Sequence, residues 1–143
     1  MNTKLIGDIA EQAVILEALK LGWGVSMPIG DRLPYDMIFD VDGLLFKIQV
    51  KSAWYSEEKA NYVVDTRRTK TNRRNMIRSV YEPTDFQFAI IYLQELSVFY
   101  VMPSDVFISY GSEIHFIETD KRQRKPRSAN YRNAWELIAK RAT

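Results

Sequence analysis

Glu11, Asp36, Gln49 and Lys51 are the residues whose types and spacing point to chemistry. Asp36 closes the triplet Pro34-Tyr35-Asp36, and Gln49 and Lys51 stand two residues apart in Gln49-Val50-Lys51. Two carboxylates and an amide are oxygen donors, and a lysine ammonium is a compact positive charge. With a backbone carbonyl near Val50, such donors complete an oxygen shell for one or two hard divalent ions such as Mg²⁺. An ion held there lowers the pKa of bound water and offsets the charge of a scissile phosphate. Lys51 then orients the attacking water or stabilises the transition state as a point charge. Phosphodiester hydrolysis is the chemistry within reach. Few competitors survive the composition. With no Cys and one His, disulfides, thiolate zinc sites, thiol nucleophiles and paired-histidine metal sites are excluded within a single chain.

The four residues are useful only if the chain brings them together. Residues 5–21 have helical apolar spacing, stopped by Gly22, and the broad stripe predicts packing against a sheet. Glu11 rides on this helix. Asp8 reads as an acid complementing the helix N-terminus rather than a ligand. Residues 23–28 suggest a short strand, followed by a Gly30-Asp31 loop. Residues 35–41 and 44–51 are two strands joined by Asp42-Gly43, a pair suited to the positive φ angles of a tight hairpin. Alternation places Asp36, Ile38 and Asp40 on one face of the first strand. In the second, Leu45, Lys47, Gln49 and Lys51 share one face and Phe46, Ile48 and Val50 the other. The hairpin therefore carries Asp36 towards Gln49 and Lys51 at one end of the sheet.

Further strands are predicted at 62–66, 86–93, 98–102 and 114–117, with a short helix at 104–108 capped by Ser104 and a closing helix at 130–141. His115, within the last of those strands, reads as a strand residue. The 143 residues suit one mixed α/β domain, with no repeat, linker or run of ~18 apolar residues for a membrane helix. A soluble, cytoplasmic protein is expected.

The net charge of +2 hides an asymmetry. Residues 1–65 hold 6 basic and 10 acidic side chains, and residues 66–143 hold 14 basic and 8 acidic. Arg67, Arg68, Lys70, Arg73, Arg74 and Arg78 form one cluster; Lys121, Arg122, Arg124, Lys125 and Arg127 form a second. Neither contains an acid, which predicts a phosphate-bearing partner. Thr66–Asn72 and its neighbours mix Thr, Asn and Arg, a set suited to phosphates and base edges together. This segment reads as a loop entering a helix near the active site, and the second as a surface loop or arm.

The ordered set Pro34…Asp36, then Gln49-x-Lys51, resembles the signature of the PD-(D/E)XK nucleases, with Glu11 matching the helix-borne acid of many members. Gly7-Asp8-Ile9-Ala10-Glu11, Pro28-x-Gly30-Asp31, Ile48-Gln49-Val50-Lys51, Thr66–Asn72, Asp85 and Tyr100-Val101-Met102-Pro103 further resemble the group I intron-encoded endonucleases of that superfamily, of cyanobacterial type. The resemblance implies a restriction endonuclease-like core: a mixed sheet with flanking helices in a single domain, residues 1–143. It implies a site-specific double-strand DNA endonuclease dependent on Mg²⁺, with Mn²⁺ as a substitute. Glu11, Asp36, Gln49 and the Val50 carbonyl would hold metal, and Lys51 would serve catalysis. Arg67, Arg68, Lys70, Asn72, Arg73, Arg74, Lys121, Arg122, Arg124, Lys125 and Arg127 would contact DNA.

One position departs from the pattern. Gln49 stands where the superfamily usually has Asp or Glu, so the site has one anion fewer. Either Glu11 makes up the charge, or metal binds more weakly, or catalysis is lost and a DNA-binding module remains. The presence of both Glu11 and Lys51 favours the first. A structure-selective nuclease such as a junction resolvase is the alternative within the fold, and the Thr66–Asn72 block argues for sequence recognition instead. A double-strand break needs two active sites and one chain offers one, so a homo-oligomer is expected, at least a dimer, and the resemblance leaves a tetramer open.

Overall fold

The computed structural model describes residues 2–71, 76–118 and 125–143. Helix α1 spans Thr3–Lys20, two residues earlier than the apolar spacing alone implies. Asn2 sets the start: its side chain accepts a hydrogen bond from the Lys4 N–H at 2.8 Å, a polar cap that hydrophobic periodicity does not register. Asp8 therefore lies in the second helical turn, beyond the first turn where an acid complements the dipole, and the N-terminal position expected of it does not hold. At the far end Gly22, at φ +84°, takes the left-handed conformation that stops the helix. The broad stripe divides. Ala10, Val14 and Ala18 are buried, while Leu5 and Leu16 remain about half exposed.

The main sheet has the order β1-β2-β3-β8-β9, built from Gly24–Ser26, Met37–Val41, Leu44–Ser52, Phe88–Leu93 and Val98–Pro103. β3 and β8 run parallel and the other pairs antiparallel. The hairpin expected at Asp42-Gly43 is present: both residues have positive φ, and the Gly43 N–H donates to Asp40 Oδ1 at 2.9 Å. β2 pairs with β3 from Met37↔Ile48 to Val41↔Leu44. Tyr35 and Asp36 precede the strand rather than open it, although the Asp36 N–H extends the ladder by donating to the Ile48 carbonyl at 2.8 Å.

One face of this sheet packs on α1 through Phe39, Phe46, Ile48, Val50, Phe88 and Ile90, closed at one end by Trp135 and Ile138. The other face is covered over β8 and β9. There Ile91, Leu93, Tyr100 and Met102 meet helix α2 (Ser104–Ser109) and a second sheet, β10-β5-β4, formed by Glu113–Phe116, Asn61–Asp65 and Trp54–Ser56. β8 is buried on both sides, hence its unbroken apolar sequence. Over β2 and the start of β3 that face is more open, with Leu45 64% exposed.

Three sequence expectations are corrected. The first basic cluster does not lead into a helix: β6 (Arg68–Thr71) and β7 (Met76–Ser79) pair antiparallel as a two-stranded ribbon. Its β-branched Thr and Ile residues suit a strand, but without apolar alternation they give no strand signal. Ser104 is the first residue of α2, not its cap, and its hydroxyl donates to the Pro83 carbonyl at 3.3 Å. The continuous helix over 130–141 is broken into a 3₁₀ turn at Arg127–Tyr131 and helix α3 at Glu136–Arg141. Asn133, at φ +48°, is the break, and it exchanges hydrogen bonds with the backbone of Phe99 on β9.

Candidate active site

Asp36 lies opposite Gln49, one step beyond the last β2–β3 pair. Its carboxylate Oδ2 accepts the Val50 N–H at 2.7 Å, which fixes the carboxyl group at the end of the β3 ladder. Gln49 is buried, and its side-chain amide donates to the Val50 carbonyl at 3.2 Å. That carbonyl keeps a second lone pair. Lys51 follows on the same face as Gln49. Its Nζ donates to the Arg67 carbonyl at 2.9 Å and lies 5.3 Å from the centre of the Tyr81 ring. β3 is central in its sheet, so Lys51 is not an edge-strand charge.

Glu11 reaches this group from α1. Burial raises its pKa from 4.5 to about 7, with the negative charges of Asp36 and then Asp8 adding to the effect. Asp36 is raised by burial as well, opposed by the Val50 N–H and by Lys51. Two carboxylates in a partly desolvated space that each resist ionisation form a site that a cation would stabilise. No group of three or more His, Cys, Asp or Glu residues with metal-binding arrangement occurs among the described residues. A donor set of two acids, one amide and one carbonyl accords with that, and its all-oxygen chemistry fits a hard divalent ion. Beside Lys51 a cleft of about 720 Å³ opens, lined among others by Thr3, Gly7, Val50, Ser52, Trp54 and Tyr55.

Nothing in the local sequence marks Tyr81 as part of the site. It is buried, packs edge-on against Phe86, and its hydroxyl is held protonated by burial and by the charge of Asp36. No periodic pattern marks residues 80–85, so only the tertiary fold reveals that Tyr81 backs Lys51. Asp65 is a second such residue. It accepts from the Arg67 guanidinium at 3.1 and 2.9 Å and from the Arg67 N–H at 2.8 Å, which turns the Arg67 carbonyl into a fixed partner for Lys51.

The expected DNA contacts are placed unevenly. Arg67 is occupied by Asp65, and Arg68 donates to the Arg32 carbonyl at 2.7 Å. The backbone of Lys70 lies in β6. Arg127 stacks on Tyr110 at 4.4 Å and donates to the Ser109 hydroxyl at 2.5 Å, so it braces α2. Lys125 is exposed. Asn72, Arg73, Arg74, Lys121, Arg122 and Arg124 lie outside the described residues. His115 is a β10 residue beside Glu113, as expected.

A mixed sheet flanked by helices, with an acid before one strand and a Gln-x-Lys at the end of its partner, defines a nuclease-type core. Residues 1–138 match the sequence profile of the PD-(D/E)XK endonucleases, and the chain belongs to that family. Among solved structures it is similar to that of a bacterial homing endonuclease, I-Ssp6803I, at 65% identity and a TM-score of 0.92, over 99% of this chain and 96% of that one. No curated protein matches it.

Proposed function

We propose that this protein is a site-specific double-strand DNA endonuclease, an intron-encoded homing endonuclease, that depends on Mg²⁺. The observation that carries the reading is the convergence at the end of β3: Asp36 anchored on the Val50 N–H, opposite Gln49, with its charge felt by Glu11. Glu11, Asp36, Gln49 and the Val50 carbonyl would hold the ion. When bound, Mg²⁺ acidifies the attacking water and offsets charge on the phosphate. The side chains do the rest. Glu11 and Asp36 supply the negative charge, and Glu11 makes up for the neutral amide at Gln49. Lys51, pinned by the Arg67 carbonyl and backed by Tyr81, presents its ammonium to the water or to the developing phosphorane charge. The similarity to I-Ssp6803I supports the homing role, and the basic ribbon β6–β7 supports a DNA substrate. A homo-oligomer, dimeric at least, would pair two sites across the duplex.

The test compares a linear duplex carrying a candidate insertion site with a four-way junction, in Mg²⁺ and in EDTA. Cleavage of the duplex, only with Mg²⁺, and its persistence in Gln49→Glu are expected. Preference for the junction would establish a resolvase instead. Binding without metal-dependent cleavage, in both wild type and Gln49→Glu, would establish a non-catalytic DNA-binding module.

A further inference from the structure

Ile29 is 94% exposed, the most exposed large apolar side chain among the described residues. It sits in the segment 27–33 with Met27 at 50% and Leu33 at 40% exposure, three apolar side chains in seven residues turned to water. The position of this segment is not arbitrary. β1 ends at Ser26, paired with Ile38 on β2, so the chain leaves the sheet at the end where Asp36 stands. It returns through Pro34 directly to Asp36. The segment is also shaped: Pro28 restricts the backbone before Ile29, and Gly30 follows it at φ +81°. Arg68, the first residue of the basic ribbon β6–β7, ties its far side by donating to the Arg32 carbonyl at 2.7 Å. Asp31 and Arg32 cancel in charge, so the segment itself has no net attraction for phosphates.

A neutral loop with an apolar tip, fastened between a catalytic end and a basic ribbon, divides the work of DNA binding. Cationic side chains in general hold the DNA backbone, a contact that carries no sequence information. Apolar side chains discriminate bases, by contact with the thymine methyl group or by entering a base step. We infer that the 27–33 loop is a base-reading element, with Ile29 contacting base edges of duplex DNA next to the bond that is cut. This rests on the endonuclease reading above, and adds to it where part of the sequence specificity resides.

The full-length chain, as wild type, Ile29→Val and Ile29→Ser, is used with Ca²⁺ to select ligands from a randomised duplex pool. Wild type and Ile29→Val are expected to enrich the same sequence. Ile29→Ser is expected to lose preference at a short block of base pairs and to bind the wild-type-selected duplex about tenfold more weakly. Its affinity for unselected duplex and its Tm should match wild type, because the side chain is solvent-exposed. The inference is overturned if Ile29→Ser enriches the wild-type sequence with wild-type affinity. It is equally overturned if that variant changes only the sedimenting mass, which would place Ile29 between copies of the chain. A wild type that enriches no sequence would instead defeat the endonuclease reading itself, and so the two failures are distinguishable.

Discussion

Glu11 holds its proton in the folded chain to about pH 7, against 4.5 for an ordinary glutamate. Between those values the folded state carries a proton that the unfolded state has released. Stability therefore falls as pH rises through that window and levels off above it. In EDTA, the Tm of wild type should decline between about pH 5 and pH 7, and Glu11→Gln should flatten that decline. Mg²⁺ should restore wild-type stability at neutral pH and not that of Glu11→Gln, because the ion takes the ionised carboxylate. Differential scanning over a pH series checks both. At this scale the sequence was informative for a particular reason. Asp42-Gly43 fixes the hairpin register, so the distance from Asp36 to Gln49 and Lys51 can be counted along the ladder. Tyr81 was not legible, because it approaches Lys51 across strands and loops that no local spacing connects, and Asp65 was not because it acts through Arg67, whose carbonyl holds Lys51.

Gly7 illustrates how an element accommodates its site. It lies in the interior of α1, one turn before Glu11, and lines the cleft beside Lys51. A Cβ placed there meets nothing within 4 Å, so packing does not demand glycine. Gly7→Ala should stabilise the protein by about 0.5–1 kcal/mol, since alanine loses less backbone entropy in a helix. Chemical denaturation with linear extrapolation would measure it, and a loss of stability would mean that the cleft wall is packed more tightly than described. The elements themselves were legible wherever the apolar signal was strong, periodic in α1 and β3 and continuous in β8 and β9. They were misread where polar chemistry decides. Asn2 starts α1 with a side-chain cap, Asn133 breaks the closing helix with positive φ, and the Thr- and Arg-rich ribbon forms strands without apolar alternation in its sequence.

Over the whole molecule, the acidic first half and basic second half correspond only approximately to the proposed metal-binding and DNA-binding parts. Arg67 is neutralised by Asp65, and Arg127 is committed to Tyr110 and Ser109, so not every cation in the two clusters meets a phosphate. About six phosphate contacts are then expected, nearer the lower end for so basic a surface, and DNA affinity should fall about 10³-fold between 50 and 200 mM salt. Fluorescence anisotropy across a salt series gives that slope directly, and a flat curve would refute backbone tracking. What composition alone could not convey is this pairing of charges, because it depends on which acid the fold sets beside each arginine. No helix among the described residues is long and apolar enough to cross a membrane.

The most direct test of the site is the single-turnover cleavage rate of a target duplex by Lys51→Ala and Asp36→Asn in Mg²⁺, with DNA affinity measured separately in Ca²⁺. Each substitution should slow the chemical step by at least about 10²-fold while leaving affinity within a few-fold of wild type, since both residues are proposed to act at the reacting phosphate. Cleavage by either variant at the wild-type rate would contradict the assignment of the Asp36–Lys51 end of the sheet as the active site.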